Sequence, residues 1–355
     1  MTDDAKATQT LVIGGSGFIG SNLANSLLED GEQVTIFDNL SRPGVSRNLE
    51  WLQKLHGNRL SVSVADIRDE DALAEAVETA GGIFHMAAQT AVTTSLIDPV
   101  DDFEVNARGT LNVLEAVRRT GRRIPVVFAS TNKVYGSLED VAIRTVDGLD
   151  LPEDEALRTH GISEDRPLDF STPYGCSKGV ADQYVLDYAK SFGIPTAVLR
   201  MSCIYGPRQF GTEDQGWVAH FLIRAMADEP ITIFGDGNQV RDILHVSDAV
   251  AAYRGLMANM DRFHGQVFNL GGGPENAVSL NLVLTEIESI LQGEVNIHHA
   301  EPRVGDQRYF VADTRRLQRA MDWHAHVGWR EGLFDLANWL RTERTAEPHA
   351  QRFVA

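Results

Sequence analysis

Cysteine is almost absent, with two in 355 residues. That excludes a disulfide framework and is too few for a zinc ribbon. Basic residues are scarce beside acidic ones, 32 Lys and Arg against 50 Asp and Glu, for a formal net charge of −18. A nucleic-acid-binding protein or one held to an anionic membrane surface needs the opposite balance, so neither partner is expected. No uninterrupted apolar run is long enough to span a bilayer, and the opening MTDDAKATQT lacks the charged-then-apolar layout of a signal peptide. A soluble, cytoplasmic protein is expected. What is present is a hydrophobic fraction of 43%, enough for a large core and too much for global disorder. The length suits two domains, or one large α/β unit with an appended lobe.

Residues 1–8 read as a loose tail. TLVIGG is a short run with nothing polar in it, as a buried parallel strand looks, and a helical pattern follows over 21–29. QVTIFD, LSVSVADI, GIFHMAA and PVVFAS read as further strands, with helices over 69–79 and 100–119. This alternation predicts right-handed βαβ units and a parallel sheet. Residues 137–170 break the rhythm with an acidic insertion, expected to be an ordered surface loop near a site. A helix is predicted over 174–191 and a strand at TAVLRM. Beyond Arg208 the pattern is mixed, with short strands and helices at 217–227, 279–291 and 331–341, and the last dozen residues look frayed. The fold class expected is α/β: a doubly wound parallel sheet of the Rossmann kind with a smaller mixed α/β C-terminal lobe. The expected domains are a dinucleotide-binding unit over 8–200, with 241–265 crossing back to it, and a substrate lobe over 201–240 and 266–345.

Gly14-Gly15-Ser16-Gly17-Phe18-Ile19-Gly20 lies between the first strand and the first helix. Such a loop turns tightly and lets backbone N–H groups and the helix N-terminus face a pyrophosphate. The match alone is weak, because glycine is common, but its context fits on both sides. Asp38 follows at the end of the second strand, 18 residues after Gly20. A carboxylate there accepts from ribose hydroxyls and repels a 2′-phosphate, which favours NAD over NADP. Asp66-Ile67, after the third strand, is the place for an adenine contact, set against a plain helix-capping role.

Tyr174 and Lys178 stand four apart on a predicted helix, one turn apart on one face. A nearby ammonium favours the phenolate, which makes Tyr174 a candidate general base, and Lys178 is suited to a nicotinamide ribose. The bland reading is an exposed helix with a lysine whose stem lies along it. Ser130-Thr131, at the carboxyl end of the fifth strand, weighs against that, because ligands bind at such ends. Thr131 can donate to the oxygen that Tyr174 deprotonates.

With these residues in order, together with FDNLSR, DIRD, HMAAQTAV, ASTNKVYG, YGPRQ, VRDILHV and FNLGGG, the chain resembles the extended short-chain dehydrogenase/reductases of the nucleotide-sugar epimerase/dehydratase family over about residues 10–340. The resemblance implies a tightly bound NAD and oxidation of a sugar carbinol with Thr131, Tyr174 and Lys178 as catalytic residues. It extends the cofactor set of Gly14, Gly17, Phe18, Ile19, Asp38, Asp66, Ile67, Ser130, Tyr174 and Lys178 to Asn39, Ser41, Arg42, Ala87, Ala88, Gln89 and Asn106. It also implies a homodimer or homotetramer, built on the helices near 100–119 and 174–191.

The family's dehydratases carry an acidic pair directly after the threonine, as in T-D-E-V-Y-G. This chain has Asn132 and Lys133 there, so no carboxylic acid stands ready for elimination and an epimerase is expected. STNKVYG, the insertion, LDFSTPYGCSKGVADQY and RQFGTEDQGWV are similar to the branch of CDP-paratose 2-epimerases, which implies a CDP-sugar, with a UDP-sugar 4-epimerase as the alternative. Cys203 replaces the asparagine usual in 4-epimerases. By the family pattern Arg241 and Arg303 clamp the diphosphate, since guanidinium groups bind phosphate through paired donors. Thr93, Thr131, Asn132, Lys133, Tyr174, Cys203 and Gln209 complete the expected substrate set. His85 and His245 read as structural, and no histidine has metal-ligand company, so no metal is expected.

Overall fold

The computed structural model describes residues 9–303 and 305–346. The terminal tail read at 1–8 lies outside the described residues. In chain order the elements are β1 (Gln9–Ile13), α1 (Phe18–Glu29), β2 (Val34–Asp38), α2 (Val45–His56), β3 (Leu60–Val64), α3 (Glu70–Glu78), β4 (Ala80–His85), α4 (Val92–Ile97), α5 (Pro99–Phe103), α6 (Gly109–Arg119) and β5 (Val126–Thr131). Then come β6 (Ile143–Val146), β7 (Leu149–Pro152), α7 (Glu155–His160), α8 (Thr172–Phe192), β8 (Thr196–Met201), β9 (Cys203–Tyr205), α9 (Trp217–Met226), β10 (Ile231–Phe234) and β11 (Val240–His245). The chain ends with α10 (Val246–Ala258), α11 (Met260–Phe263), β12 (Gln266–Leu270), β13 (Ala277–Ser279), α12 (Leu280–Leu291), β14 (Ile297–Ala300), β15 (Tyr309–Phe310), α13 (Arg315–Met321) and α14 (Trp329–Ala346).

The chain divides into two compact units. The first comprises the residues up to Val134, Leu168–Met201 and Ala249–Phe268. Its seven-stranded sheet has the order β12-β8-β5-β4-β1-β2-β3, and the ladders from β3 across to β8 are parallel. This is the doubly wound Rossmann arrangement expected from the βαβ rhythm. Val126, Val127, Phe128 and Ala129 of β5 are buried, as a central strand covered on both faces must be. Leu11, Ile13, Ile83, Val113, Val117, Val126, Phe128 and Val185 share one cluster that packs the sheet against α6 and α8.

Between α8 and β8 sits a buried ion pair. Arg200 Nε and Nη2 donate to the two oxygens of Asp182 at 2.9 Å each, and Ser130 Oγ donates to Asp182 at 2.7 Å. Asp182 is fully buried and Arg200 is 3% exposed. The fork-to-carboxylate geometry with an added hydroxyl offsets the cost of desolvating both charges.

The second unit comprises Tyr135–Pro167, Ser202–Asp248 and the residues from Asn269 onward. β11 is its central strand, antiparallel to β13 and parallel to β9 and β15. The acidic insertion, expected within the first domain, belongs here. It folds as the β6–β7 hairpin plus α7. Ile143 and Leu149 pack on Val240, Tyr309 and Val311, and Asp150 takes Arg308 Nε and Nη2 at 2.9 and 2.8 Å. The return to the first unit starts at Ala249 rather than at 241, because β11 is hydrogen-bonded on both sides within the second unit.

Other elements also depart from expectation. α2 has no counterpart in the elements expected from the sequence. Its mean character is polar, and only Val45, Leu49 and Leu52 turn inward among its apolar residues. The helix near 100–119 is three pieces, with a π turn over Glu104–Arg108 between α5 and α6. α14 continues to Ala346, past the start of the segment read as frayed. Arg341 Nη2 donates to Ile290 O (3.2 Å) and Arg344 Nη1 to Met226 O (2.6 Å), which ties down its last turns. Among the described residues no helix is long and apolar enough to cross a membrane.

The Asp182–Arg200 pair yields the first prediction. Asp182→Ala strands a buried guanidinium and lowers the unfolding free energy by roughly 3–5 kcal/mol. The joint change Asp182→Leu with Arg200→Met costs less than Asp182→Ala alone. Denaturant titration of the three proteins reads both effects.

Candidate active site

The first unit builds its site at the carboxyl ends of the parallel strands. β1 runs into Gly14, at φ +79°, where a Cβ would lie 2.5 Å from Ala87 N. A Cβ on Gly20 would lie 2.2 Å from Gly14 O, so this glycine lets α1 close on the turn. Gly17 caps α1 without a side-chain bond, and the helix has no acidic residue in its first turn. The N-terminal donors of α1 are therefore not taken by a side chain of the cap, and the helix dipole suits an anion there. Ser16 Oγ is buried and has no hydrogen-bond partner. This cradle fits a dinucleotide pyrophosphate.

Asp38, at the end of β2, takes Ser16 N–H and Leu40 N–H at 2.9 Å each. Burial pushes its carboxyl upward, and backbone donors from Leu40, Ser16 and Gly17 and the Arg42 charge oppose that. Asp38 thus fixes the glycine loop while standing at the position expected to meet ribose hydroxyls. Asn39 donates to Asp66 (2.9 Å), and Ser41 N–H bonds Asn39 Oδ1 (3.1 Å). Arg42 donates to Thr90 Oγ1. Asp66 is held well below the usual carboxylate range by Arg68, which donates at 2.8 Å to each oxygen. Ile67 is 5% exposed in the core cluster, so its side chain serves packing.

After β4, Gln89 and Asn106 pair through two bonds, Gln89 N–H to Asn106 Oδ1 (3.0 Å) and Asn106 Nδ2 to Gln89 O (3.1 Å). Met86 N–H bonds Ile13 O at 2.8 Å, which brings Ala87 and Ala88 beside the glycine turn. His85, read as structural, is 1% exposed on β4. Burial pulls its ring down to about 3, helped by the Lys178 charge.

Tyr174 and Lys178 lie on the first turns of α8 and are both buried. Thr131, at the end of β5, hydrogen-bonds the Tyr174 hydroxyl. Burial pushes that phenol up to about 12. Thr131 and the Arg42 charge pull it down, and Asp102 pushes it further up. The Tyr174 N–H bonds Ser95 Oγ (3.2 Å), which sets where the helix begins. Lys178 Nζ donates to Ala129 O (2.7 Å) and lies 4.2 Å from the centre of the Phe128 ring. Burial draws this ammonium down to about 7, against the pull of Asp182 and Asp102. The same Thr131 hydroxyl lies 3.3 Å from Asn132 Oδ1, an alternative acceptor for its one proton, and accepts from Lys133 N–H (3.2 Å). Ser130 is committed to Asp182 and is 1% exposed. Thr93 Oγ1, on α4, is buried and has no hydrogen-bond partner.

Four expected substrate residues lie in the second unit. Arg241 is 6% exposed. Its guanidinium donates to Val240 O (2.8 Å), Asp306 (2.7 Å) and Gln307 O. Arg303 lies over the Phe234 ring at 3.8 Å and pairs with Glu213 at 2.9 Å. Cys203 Sγ accepts from Trp217 Nε1 at 3.4 Å. Gln209 Nε2 donates to Ile204 O (3.2 Å), and its Oε1 is buried without a partner. Among the described residues no group of three or more His, Cys, Asp or Glu is placed to hold a metal ion.

Sequence reasoning missed Ser95, Asp102 and Ser177. Asp102 is 1% exposed, and Ser177 Oγ donates to it. The one local sign was Asp102 lying four residues before Asn106 on a helical pattern.

A glycine cradle over a parallel sheet, an acidic residue closing β2 and a Thr–Tyr–Lys set at the end of β5 define an enzyme that works with a bound dinucleotide. The model of the NAD dependent epimerase/dehydratase family matches residues 10–271, and the chain belongs to that family. It is 41% identical over 336 residues to CDP-paratose 2-epimerase of Salmonella typhi, covering 93% of this chain and 98% of that one. Its fold matches the UDP-glucose 4-epimerase of Thermus thermophilus in complex with NAD, with a TM-score of 0.79 and 30% identity over 94% of this chain and 99% of that one. It also matches UDP-glucuronic acid 4-epimerase from Bacillus cereus in complex with UDP-glucuronic acid and NAD, with a TM-score of 0.81 and 26% identity over 95% and 100%. The chain is thus an NAD-dependent isomerase of the nucleotide-sugar epimerase family.

The cradle gives the second prediction. Gly14→Ala forces a Cβ onto Ala87 N and strains a positive φ, so the purified variant carries less NAD than the unaltered protein. Nucleotide released by denaturation and quantified by chromatography reads the loss.

Proposed function

We propose that the chain is a 2-epimerase of a CDP-linked dideoxyhexose, interconverting CDP-paratose and CDP-tyvelose. The observation that carries this reading is the 41% identity to a CDP-paratose 2-epimerase across nearly the whole of both chains. Asn132 and Lys133 support it, since neither supplies the carboxylic acid that elimination needs. The likeness to UDP-sugar 4-epimerases favours a second reading, inversion at C4 of a UDP-hexose or UDP-uronate.

Each residue then has a role in either reading. Tyr174 takes the proton of the sugar carbinol onto its phenolate oxygen and gives the same proton back after the keto sugar has turned. Thr131 turns its one hydroxyl proton from Asn132 Oδ1 to the oxygen of the reacting carbinol and fixes its direction. Bound NAD supplies the reversible hydride acceptance that makes the sugar carbon planar. Arg42 favours the phenolate against the burial that raises the Tyr174 hydroxyl. Lys178 holds the nicotinamide ribose, and Asp38 the adenosine ribose. Arg241 and Arg303 bind the diphosphate, Arg241 exchanging Asp306 for phosphate oxygens. Thr93 and Gln209 offer unpartnered polar atoms for the sugar nucleotide. The enzyme acts in the cytoplasm as a homodimer or homotetramer.

Proton NMR of CDP-paratose and UDP-glucose, each with purified protein and no added NAD, separates the readings. Inversion at C2 of the CDP-sugar is expected, and inversion at C4 of the UDP-sugar alone overturns the first reading. Tyr174→Phe lowers kcat by roughly 100- to 10,000-fold with the fold and NAD content kept. Full activity in that variant removes Tyr174 from the chemistry.

A further inference from the structure

We infer that Asp102 is the buried counter-charge of Lys178 and, through Ser177, a positioning residue for the Tyr174–Lys178 pair. The inference rests on the reading of that pair as the reacting residues. Asp102 lies on α5, 1% exposed, and a carboxyl so buried persists only where donors or a cation meet it.

The hydrogen bonds around it assign its state. The Gln89 N–H is a donor and can bond only the oxygen of the Asn106 amide, at 3.0 Å, which fixes the orientation of that amide. Asn106 Nδ2 therefore faces Gln89 O (3.1 Å), Asp102 Oδ1 (3.2 Å) and Ser177 Oγ (3.1 Å). Ser177 Oγ accepts from Asn106 and donates to Asp102 Oδ2. Asp102 is thus met by donors on both oxygens, the pattern of a carboxylate. The π turn over Glu104–Arg108 carries Asn106 to this junction.

Charge balance points the same way. The other carboxylate acting on Lys178 is Asp182, which Arg200 already neutralises through two bonds. Lys178 Nζ itself meets the neutral Ala129 O and the face of Phe128. Among the described residues Asp102 remains the carboxylate whose charge no cation meets directly. Burial raises its carboxyl, and the Ser177 hydrogen bond and the Lys178 charge oppose that. Each of the two charged groups favours the charged form of the other. Ser177 makes the connection covalent on one side. It precedes Lys178, and its hydroxyl also lies 3.2 Å from Tyr174 O.

The groups facing Lys178 are Asp182 on its own helix, Asp102 on α5, His85 on β4, and Phe128 and Ala129 on β5. Those facing Tyr174 are Thr131, Arg42, Asp102 and Ser95. Removing the negative charge of Asp102 lowers the proton affinity of both Lys178 and Tyr174. Asp102→Asn therefore moves both limbs of the pH–rate profile to lower pH, whereas loss of a merely structural contact lowers the rate and leaves the limbs in place.

The chain has five lysines, so 13Cε-lysine NMR of the protein as purified resolves Lys178 once Lys178→Arg identifies its signal. The expected result is a titration midpoint about one pH unit lower in Asp102→Asn than in the unaltered protein. A midpoint that stays in place overturns the inference. This readout needs no substrate, so an error in the proposed reaction does not touch it. If Asp102→Asn does not fold, the double variant Asp102→Asn with Lys178→Met, which removes both charges, is expected to fold, and its failure overturns the pairing.

Discussion

One buried ammonium organises the first unit. Lys178 lies beneath the carboxyl end of β5, where its donors meet a backbone acceptor, Ala129 O, and an aromatic face. A desolvated charge there is costly, so the surroundings must hold it. Asp182 and Arg200 clamp α8 to β8, and Ser130 ties the same carboxylate to β5. That clamp sets the height of α8 on the sheet, and with it the place of Tyr174 beside Thr131. The order of dependence runs from an ion pair, to a helix position, to the contact between Tyr174 and Thr131.

Much of this was legible where the signal is local. The glycine loop, Asp38 at the end of β2, and Tyr174 with Lys178 one helical turn apart each depend on residues close in sequence, so spacing carries their geometry. The βαβ alternation gave the parallel sheet for the same reason. What was hidden depends on residues far apart. Ser95 meets Tyr174 across 79 positions and Ser177 meets Asp102 across 75. The insertion joins the second unit through the packing of Ile143 and Leu149 on Val240 and Tyr309, a contact that nothing in its own sequence signals. α2 was missed because three inward apolar residues in a polar segment give little periodic signal. The side chains of Ile67 and Ser130 turned out to serve the core and an ion pair, which spacing alone does not show.

The second unit follows a related rule for positive charge. In a chain of net charge −18, Arg241 and Arg303 are each held by an acidic side chain, Asp306 and Glu213. Such pairs fix the position and direction of a guanidinium. The burial of Asp242 follows a different logic. Burial pushes it up to about 6, and Ser202 and the Gly273 N–H meet it where, among the described residues, no cation does. It closes the backbone between β11 and the turn after β12, a structural use of the Asp in VRDILHV.

In the proposed reaction one hydrogen leaves the sugar carbon and returns to it through a single bound cofactor. The direct measurement is the fate of deuterium placed on the inverting carbon, followed by mass spectrometry in ordinary water with no NAD added. The product is expected to keep the label on that carbon. Loss of the label to solvent at the rate of inversion would mean removal of a proton from carbon, and would contradict the proposed reaction.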